Sequence, residues 1–195
     1  MTSKSSNIGL KEWSVTSNAL GRGVQIFLLR KGGIREDGRH FKIEHEKFLL
    51  YPGLFHEGEL LLKAENQSLL EETVDADFNQ VIPFSVYCEL IETIEISEEH
   101  QVRALDEFHI WSKEFPVKRF KWRPRHPLKL LIVRAYKLDT PTTVNVTDAY
   151  GGCKSWVELG DPIDISNLAP ALTDTEFELE VSKIHKALAS SPVTA

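Results

Sequence analysis

The chain has 195 residues, 42% of them hydrophobic and 27% charged, with 10 Phe, 4 Trp, 4 Tyr and a formal net charge of −6. That is enough apolar material for one full core; it excludes a wholly disordered chain, and the net acidity argues against indiscriminate polyanion binding. No apolar run nears the roughly 20 residues that span a bilayer, the opening MTSKSSNIGLKEW lacks a secretory apolar core, and Cys88 and Cys153 are too few for a disulfide scaffold. A soluble cytoplasmic protein is expected, with a single domain over 8–190 and disordered tails at 1–7 and 191–195.

Along the chain, Leu10, Trp13 and Leu20 fall on one helical stripe ahead of Gly21, which predicts a helix over 8–20. VQIFLLR (24–30) reads as a buried strand, and HFKIEHEKFLLY (40–51) as a second one ended by Pro52-Gly53; the glycine-rich KGGIREDGR between them predicts a hairpin. ELLLKA (59–64) fits a strand or a helix start, and the acidic stretch 65–80 a helix or a polar connection. VYCELIETIEIS (86–97) alternates with period two and slips near Ile91, the pattern of a bulged strand. Ser97 followed by Glu98 and Glu99 predicts a helix start, with Val102, Leu105 and Phe108 at helical spacing behind it. LKLLIVRAYKL (128–138) is the strongest strand pattern. Thr173-Asp174-Thr175-Glu176 fits a capping box before the stripe Phe177, Val181, Ile184 and Leu188. Strands do not alternate regularly with helices, so the expected class is α+β: a mixed or antiparallel curled sheet, or a partial barrel, flanked by an N-terminal and a C-terminal helix.

The sequence carries no Walker A loop, no dinucleotide-binding glycine fingerprint after a strand, no nucleophile elbow and no C-x-x-C pair. No cofactor and no catalytic residue is assigned. Glu44-His45-Glu46, with His40 and His56 on either side, comes nearest to a metal site. On a strand Glu44 and Glu46 share a face and His45 points away, so convergence on one ion would need a bulge.

The charge is unevenly placed: residues 1–56 carry +4, 57–107 carry −12, 108–137 carry +8 and 138–195 carry −6. Either the acidic and basic blocks pack side by side, or the basic block is left for a partner, because the screening length of about 8 Å lets a local basic face act within an acidic molecule. WSKEFPVKRFKWRPRHPLK (111–129) interleaves Lys118, Arg119, Lys121, Arg123 and Arg125 with Phe120 and Trp122, and its three prolines predict an extended surface loop. Cations there would meet phosphates and an exposed indole would stack a base. LLRKGGIRED (28–37) offers Arg30, Lys31 and Arg35 around a glycine pair suited to an anion nest. In AYGGCKSWVEL (149–159), Cys153 and Trp156 read as packing residues.

The stretches LKEW, LLRKGGIRE, FLLYPGLFHE, WSKEFP, LIVRAYKL and GGCKSWVEL together resemble the uncharacterised family of domain of unknown function 1802 over about residues 8–190. The resemblance implies a bacterial, mainly cyanobacterial protein of unassigned activity, with relatives found beside restriction endonuclease domains; this chain lacks the nuclease motif. At fold level it is also similar to small PUA-like nucleic-acid readers, without the G-x-K-x-x-E pattern of their ASCH branch. The expected function is non-catalytic binding of DNA or RNA through 30–39 and 113–129. A protein adaptor or homodimer using the same basic segment is the second reading, and a metal-dependent hydrolase around Glu44, His45 and Glu46 the third.

Overall fold

The computed structural model describes residues 4–31, 41–54, 61–71, 77–122, 124, 126–152 and 154–190. Within them lie strands β1 (Ser5–Trp13), β2 (Phe27–Arg30), β3 (Lys47–Gly53), β4 (Val81–Ile96), β5 (Leu128–Asn145), β6 (Trp156–Asp164) and β7 (Leu168–Pro170). The helices are α1 (Ser14–Gly21), α2 (Ser68–Glu71), α3 (Glu99–Ala104), α4 (Glu114–Lys121) and α5 (Asp174–Ser190). The strands form one mixed sheet in the order β2-β5-β4-β3-β1-β6, with β7 on the outer edge of β5 beyond β2. The sheet stays open, so the α+β expectation holds without a closed barrel.

β4 and β5 form the long antiparallel spine, paired from Val81↔Asn145 to Ile96↔Leu128. Its register shifts between Leu90 and Glu92, where the break in alternation at Ile91 predicts a bulge. The continuous apolar runs follow from burial on both faces. In β3, Phe48 and Leu50 enter a cluster with Leu10, Leu28 and Val133, while Leu49 and Tyr51 pack on the other side with Phe84 and Tyr87. In β5, Leu128, Leu130 and Ile132 face Val102, Val117, Phe177 and Ile184 from three helices. The capping box at α5 is present: Thr173 Oγ1 accepts from the Glu176 amide at 3.3 Å, and the Thr173 amide donates to the Glu176 carboxylate at 2.9 Å.

Five local expectations are corrected. The predicted helix over 8–20 begins only at Ser14; Ile8 and Leu10 lie in β1, which pairs with β3 on one side and β6 on the other. Two occupied ladders outweigh a stripe of three apolar residues, and β1 also takes in Ser5–Asn7. Second, β2 and β3 do not form a hairpin. β2 pairs with β5, and β3 runs parallel to β1 and antiparallel to β4. Third, β3 continues through Pro52 to Gly53. Its ladder with β4 ends at Leu49↔Tyr87, so beyond that point the proline is not asked for a donor on that side.

Fourth, the segment expected as an extended loop contains the helix α4. Pro116 is its third residue, in the first turn, where an amide has no intrahelical acceptor to meet; Pro124 and Pro127 fall after the helix has ended. The predicted helix after Ser97 is also shorter than its stripe. α3 ends at Ala104, its N-cap is Glu98, and a 3₁₀ turn over Asp106–Phe108 carries the remainder.

Candidate functional site

β1 and β3 form a parallel pair, and their carboxyl ends, Trp13 and Gly53, open onto a cavity of about 610 Å³. The ends of parallel strands are a common place for ligand clefts, because the chain turns away there and leaves a crevice. α1 begins at the residue after Trp13, and α4 contributes Phe115 and Arg119 to the lining.

One wall is aromatic. The Trp13 and Trp111 rings meet edge to face at 5.3 Å, Trp111 and Phe115 lie at 4.7 Å, and Trp13 and Phe115 at 5.5 Å. Trp111 is placed by a β-bridge to Leu62 and by its amide, which donates to His109 Nδ1 at 3.2 Å. Burial drives the His109 pKa down to about 4, so the ring is neutral and free to accept at Nδ1. Beside it the Ile110 amide donates to Gln25 Oε1 at 3.1 Å, and Gln25 Nε2 donates to the Phe27 carbonyl at 2.7 Å. Gln25 thus ties the Trp111 segment to β2.

The remaining wall is cationic. Arg30 Nη1 donates to Glu12 Oε2 at 3.0 Å and to the Lys11 carbonyl at 3.1 Å; the two side chains of this pair are only 13% and 11% exposed. The other Glu12 oxygen accepts from the Trp13 amide at 2.9 Å. Arg119 also lines the cavity, and its guanidinium lies 5.1 Å from the Trp122 ring centre. Lys11 Nζ donates to the Tyr150 and Gly152 carbonyls, which folds the segment around Gly152 over the rim.

The first turn of α1 is unusual. Trp13 occupies the N-cap position in an extended conformation without a side-chain cap, and the turn holds no acidic residue. Ser14 and Thr16 are buried, and among the described residues neither hydroxyl has a hydrogen-bond partner. Leaving a buried hydroxyl unpaired costs about 1–3 kcal/mol. Thr16 is one of the residues lining the cavity.

The sequence-predicted cations divide by environment. Arg30 and Arg119 line the same cavity. Lys31 is 2% exposed; its Nζ donates to the Phe120 carbonyl in the last turn of α4 and lies 5.0 Å from the Phe120 ring centre. That position favours a cation at the negative end of a helix, while burial, and then Arg119 nearby, lower the Lys31 pKa. The two basic segments therefore meet through Lys31 and Phe120. Lys118 is exposed, Lys121 pairs with Glu99 at 2.8 Å, and Trp122 is 37% exposed next to them. Hydrogen bonds from Lys121 and Arg103 hold the Glu99 carboxyl below the usual carboxylate range. Contacts between Lys113 and Asp106 and between Lys121 and Glu99 join the acidic and basic blocks in part. Arg35, Arg123 and Arg125 lie outside the described residues, as does Cys153.

Glu44, His45 and Glu46 are described, and the His45 ring packs edge-on against Trp156 at 5.3 Å. Among the described residues no three His, Cys, Asp or Glu side chains come together as a metal-holding group, and no helix is long and apolar enough to cross a membrane.

Sequence reasoning missed Glu12, Trp13, Thr16 and Gln25 as cavity residues and read Trp111 and Phe115 only as neighbours of the basic run. A signal was present in the scattered short stretches. LKEW supplies Lys11, Glu12 and Trp13; LLRKGGIRE supplies Arg30; FLLYPGLFHE supplies Gly53 and Leu54; WSKEFP supplies Trp111 and Phe115; GGCKSWVEL supplies Gly152. Only the fold brings these stretches to one place. No curated protein and no solved structure matches the chain. A family model covers residues 9–183, nearly the whole of the span that forms the sheet and its helices, and on that match the chain belongs to the family described as Domain of unknown function (DUF1802).

Proposed function

We propose that the protein binds nucleic acid through the cavity and the carboxyl end of α4 beside it. The observation that carries this reading is the convergence of Arg30 and Arg119 on a cavity walled by Trp13, Trp111 and Phe115. Guanidinium groups supply the phosphate contacts and aromatic faces supply sequence-tolerant stacking, the two parts that single-strand binders combine. Lys118 and the half-open Trp122 extend the same surface outward. The net charge of −6 gives no long-range attraction, so affinity must come from contacts within a screening length.

Salt-titrated fluorescence anisotropy with labelled single-stranded DNA, single-stranded RNA and duplex tests this, with DNA first because of the restriction context that the family resemblance implies. If Arg30, Arg119 and Lys118 are the phosphate contacts, log affinity on a single strand falls with log salt at a slope of about −2. Trp122→Ala weakens single-strand binding about tenfold, the lower range for losing one stacked base. Absence of binding to all three probes at about 50 mM salt, where phosphate contacts are strongest, refutes the proposal.

A further inference from the structure

We infer that the cavity is a base-reading pocket for one unpaired guanine, its ring against the Trp13–Trp111–Phe115 wall and its Watson–Crick edge on the Glu12–Arg30 pair. This rests on the nucleic-acid reading and names the base that the site selects. Arg119 and Lys118 keep the phosphate backbone, while Arg30 turns to the base. The volume of about 610 Å³ lies within the usual range of about 300–1,000 Å³ for a small-molecule site. Three aromatic side chains line it with ring centres 4.7 to 5.5 Å apart, an apolar surface of the kind on which a base stacks.

The polar part of the lining selects the guest. Glu12 and Arg30 both line the cavity as a pair without net charge, their side chains 11% and 13% exposed. A phosphate placed here would meet the Glu12 carboxylate, and like charges repel most where water is excluded, so the backbone of the strand stays outside. A neutral base carries no such cost. Glu12 Oε1 accepts from the Trp13 amide and Oε2 from Arg30 Nη1. A carboxylate oxygen has two acceptor sites, so among the described residues each Glu12 oxygen keeps one. Arg30 donates through Nη1 alone among the described residues, which leaves Nε and Nη2 as donors. Gln25, the amide on the lining, accepts from the Ile110 amide and donates to the Phe27 carbonyl. The pair thus offers two acceptors beside a donor fork. Guanine is the base whose Watson–Crick edge answers this, with N1–H and N2–H as neighbouring donors and O6 as the adjacent acceptor; adenine, cytosine and thymine each present a single donor group there.

The test uses the full chain and a labelled short oligothymidine carrying one central guanine, read by fluorescence anisotropy. It is compared with the same strand carrying adenine or hypoxanthine at that position, and with plain oligothymidine. The guanine strand should bind at least about tenfold more tightly than the adenine and thymine strands, the lower range for one matched base edge. Hypoxanthine lacks the N2 amino group, and its strand should bind about tenfold more weakly than guanine, one hydrogen bond to a charged group being lost. With two phosphate contacts the salt slope should be about −1.4; a slope of about −2 would return Arg30 to the phosphates and overturn the inference. Glu12→Gln leaves one acceptor where the carboxylate has two, and should bring the guanine and hypoxanthine strands to equal affinity. If that variant does not fold, the ratio of the two strands on the parent protein decides alone. Strands that bind with no preference for guanine over hypoxanthine overturn this inference and leave the broader reading standing. If no strand binds but guanosine changes the tryptophan emission saturably, and inosine does so about tenfold more weakly, the pocket stands and the broader reading falls. Silence in both assays removes both.

Discussion

Acidification should loosen the wall of the cavity through a single residue, His109. Its ring is 4% exposed, stacks edge-on to Phe27 and accepts a hydrogen bond from the Trp111 amide, an arrangement that requires the neutral imidazole. Burial is the first cause of the lowered pKa and the positive charge of Lys63 the second. Between pH 6.5 and about 4 the unfolded chain binds this proton and the folded chain does not, so folding stability rises with pH across that window and is lost as pH falls through it. At about 1.4 kcal/mol per pH unit, the gap from 6.5 to about 4 amounts to about 3 kcal/mol, a large share of the 5–15 kcal/mol typical of a domain. His109→Asn retains an acceptor for the Trp111 amide without the titration. Urea unfolding of both proteins from neutral pH to about pH 4 measures the effect. Glu99, Asp164 and Glu176, whose carboxyls are held low by Lys121, Ser166 and Thr173, titrate in both proteins and cancel in the difference. The parent should lose about 3 kcal/mol more than the variant over that range, and parallel stability curves would refute the reasoning. Because Trp111 is the residue released, tryptophan emission should change within the same window.

Other substitutions probe the frame around the site. Glu12→Ala leaves Arg30 without its carboxylate in a pair that is almost closed to solvent, and should cost about 3 kcal/mol in denaturant unfolding. Gly23 has φ +71, and a Cβ there would lie 2.6 Å from Leu172 Cδ2; Gly23→Ala should lose at least about 1–2 kcal/mol from the backbone alone, seen as a lower melting temperature. Thr173→Ala removes the box that starts α5 and should cost about 1 kcal/mol, with the fraying of α5 visible by amide exchange.

Two loosely related kinds of information decide this molecule. Patterns that repeat over many residues or close within four were legible in the chain: the alternation of β4 and β5, the slip at Ile91, the Thr173–Glu176 box and the Phe177–Leu188 stripe. These depend on neighbours in sequence, where the strand period and cap geometry act directly. Short elements were not legible in the same way. Ile8 and Leu10 suit a strand as readily as the start of a helix, and Pro116 reads as a breaker until its place in the first turn of α4 is known.

For the site, the amino-acid sequence by itself determined the inventory: which cations and aromatics exist, that the charge is divided into blocks, and that the basic run near 118–125 carries indole and phenyl groups. Tertiary structure alone decided their use. It buried Lys31 against the end of α4, paired Arg30 with Glu12, brought Arg119 to the same cavity, and set Trp13 beside Trp111 from a part of the chain about a hundred positions away. The physical reason is that a charge or a ring acts according to what it touches and how far water is excluded, and contacts between distant segments follow from the order of strands in the sheet, which local periodicity does not encode.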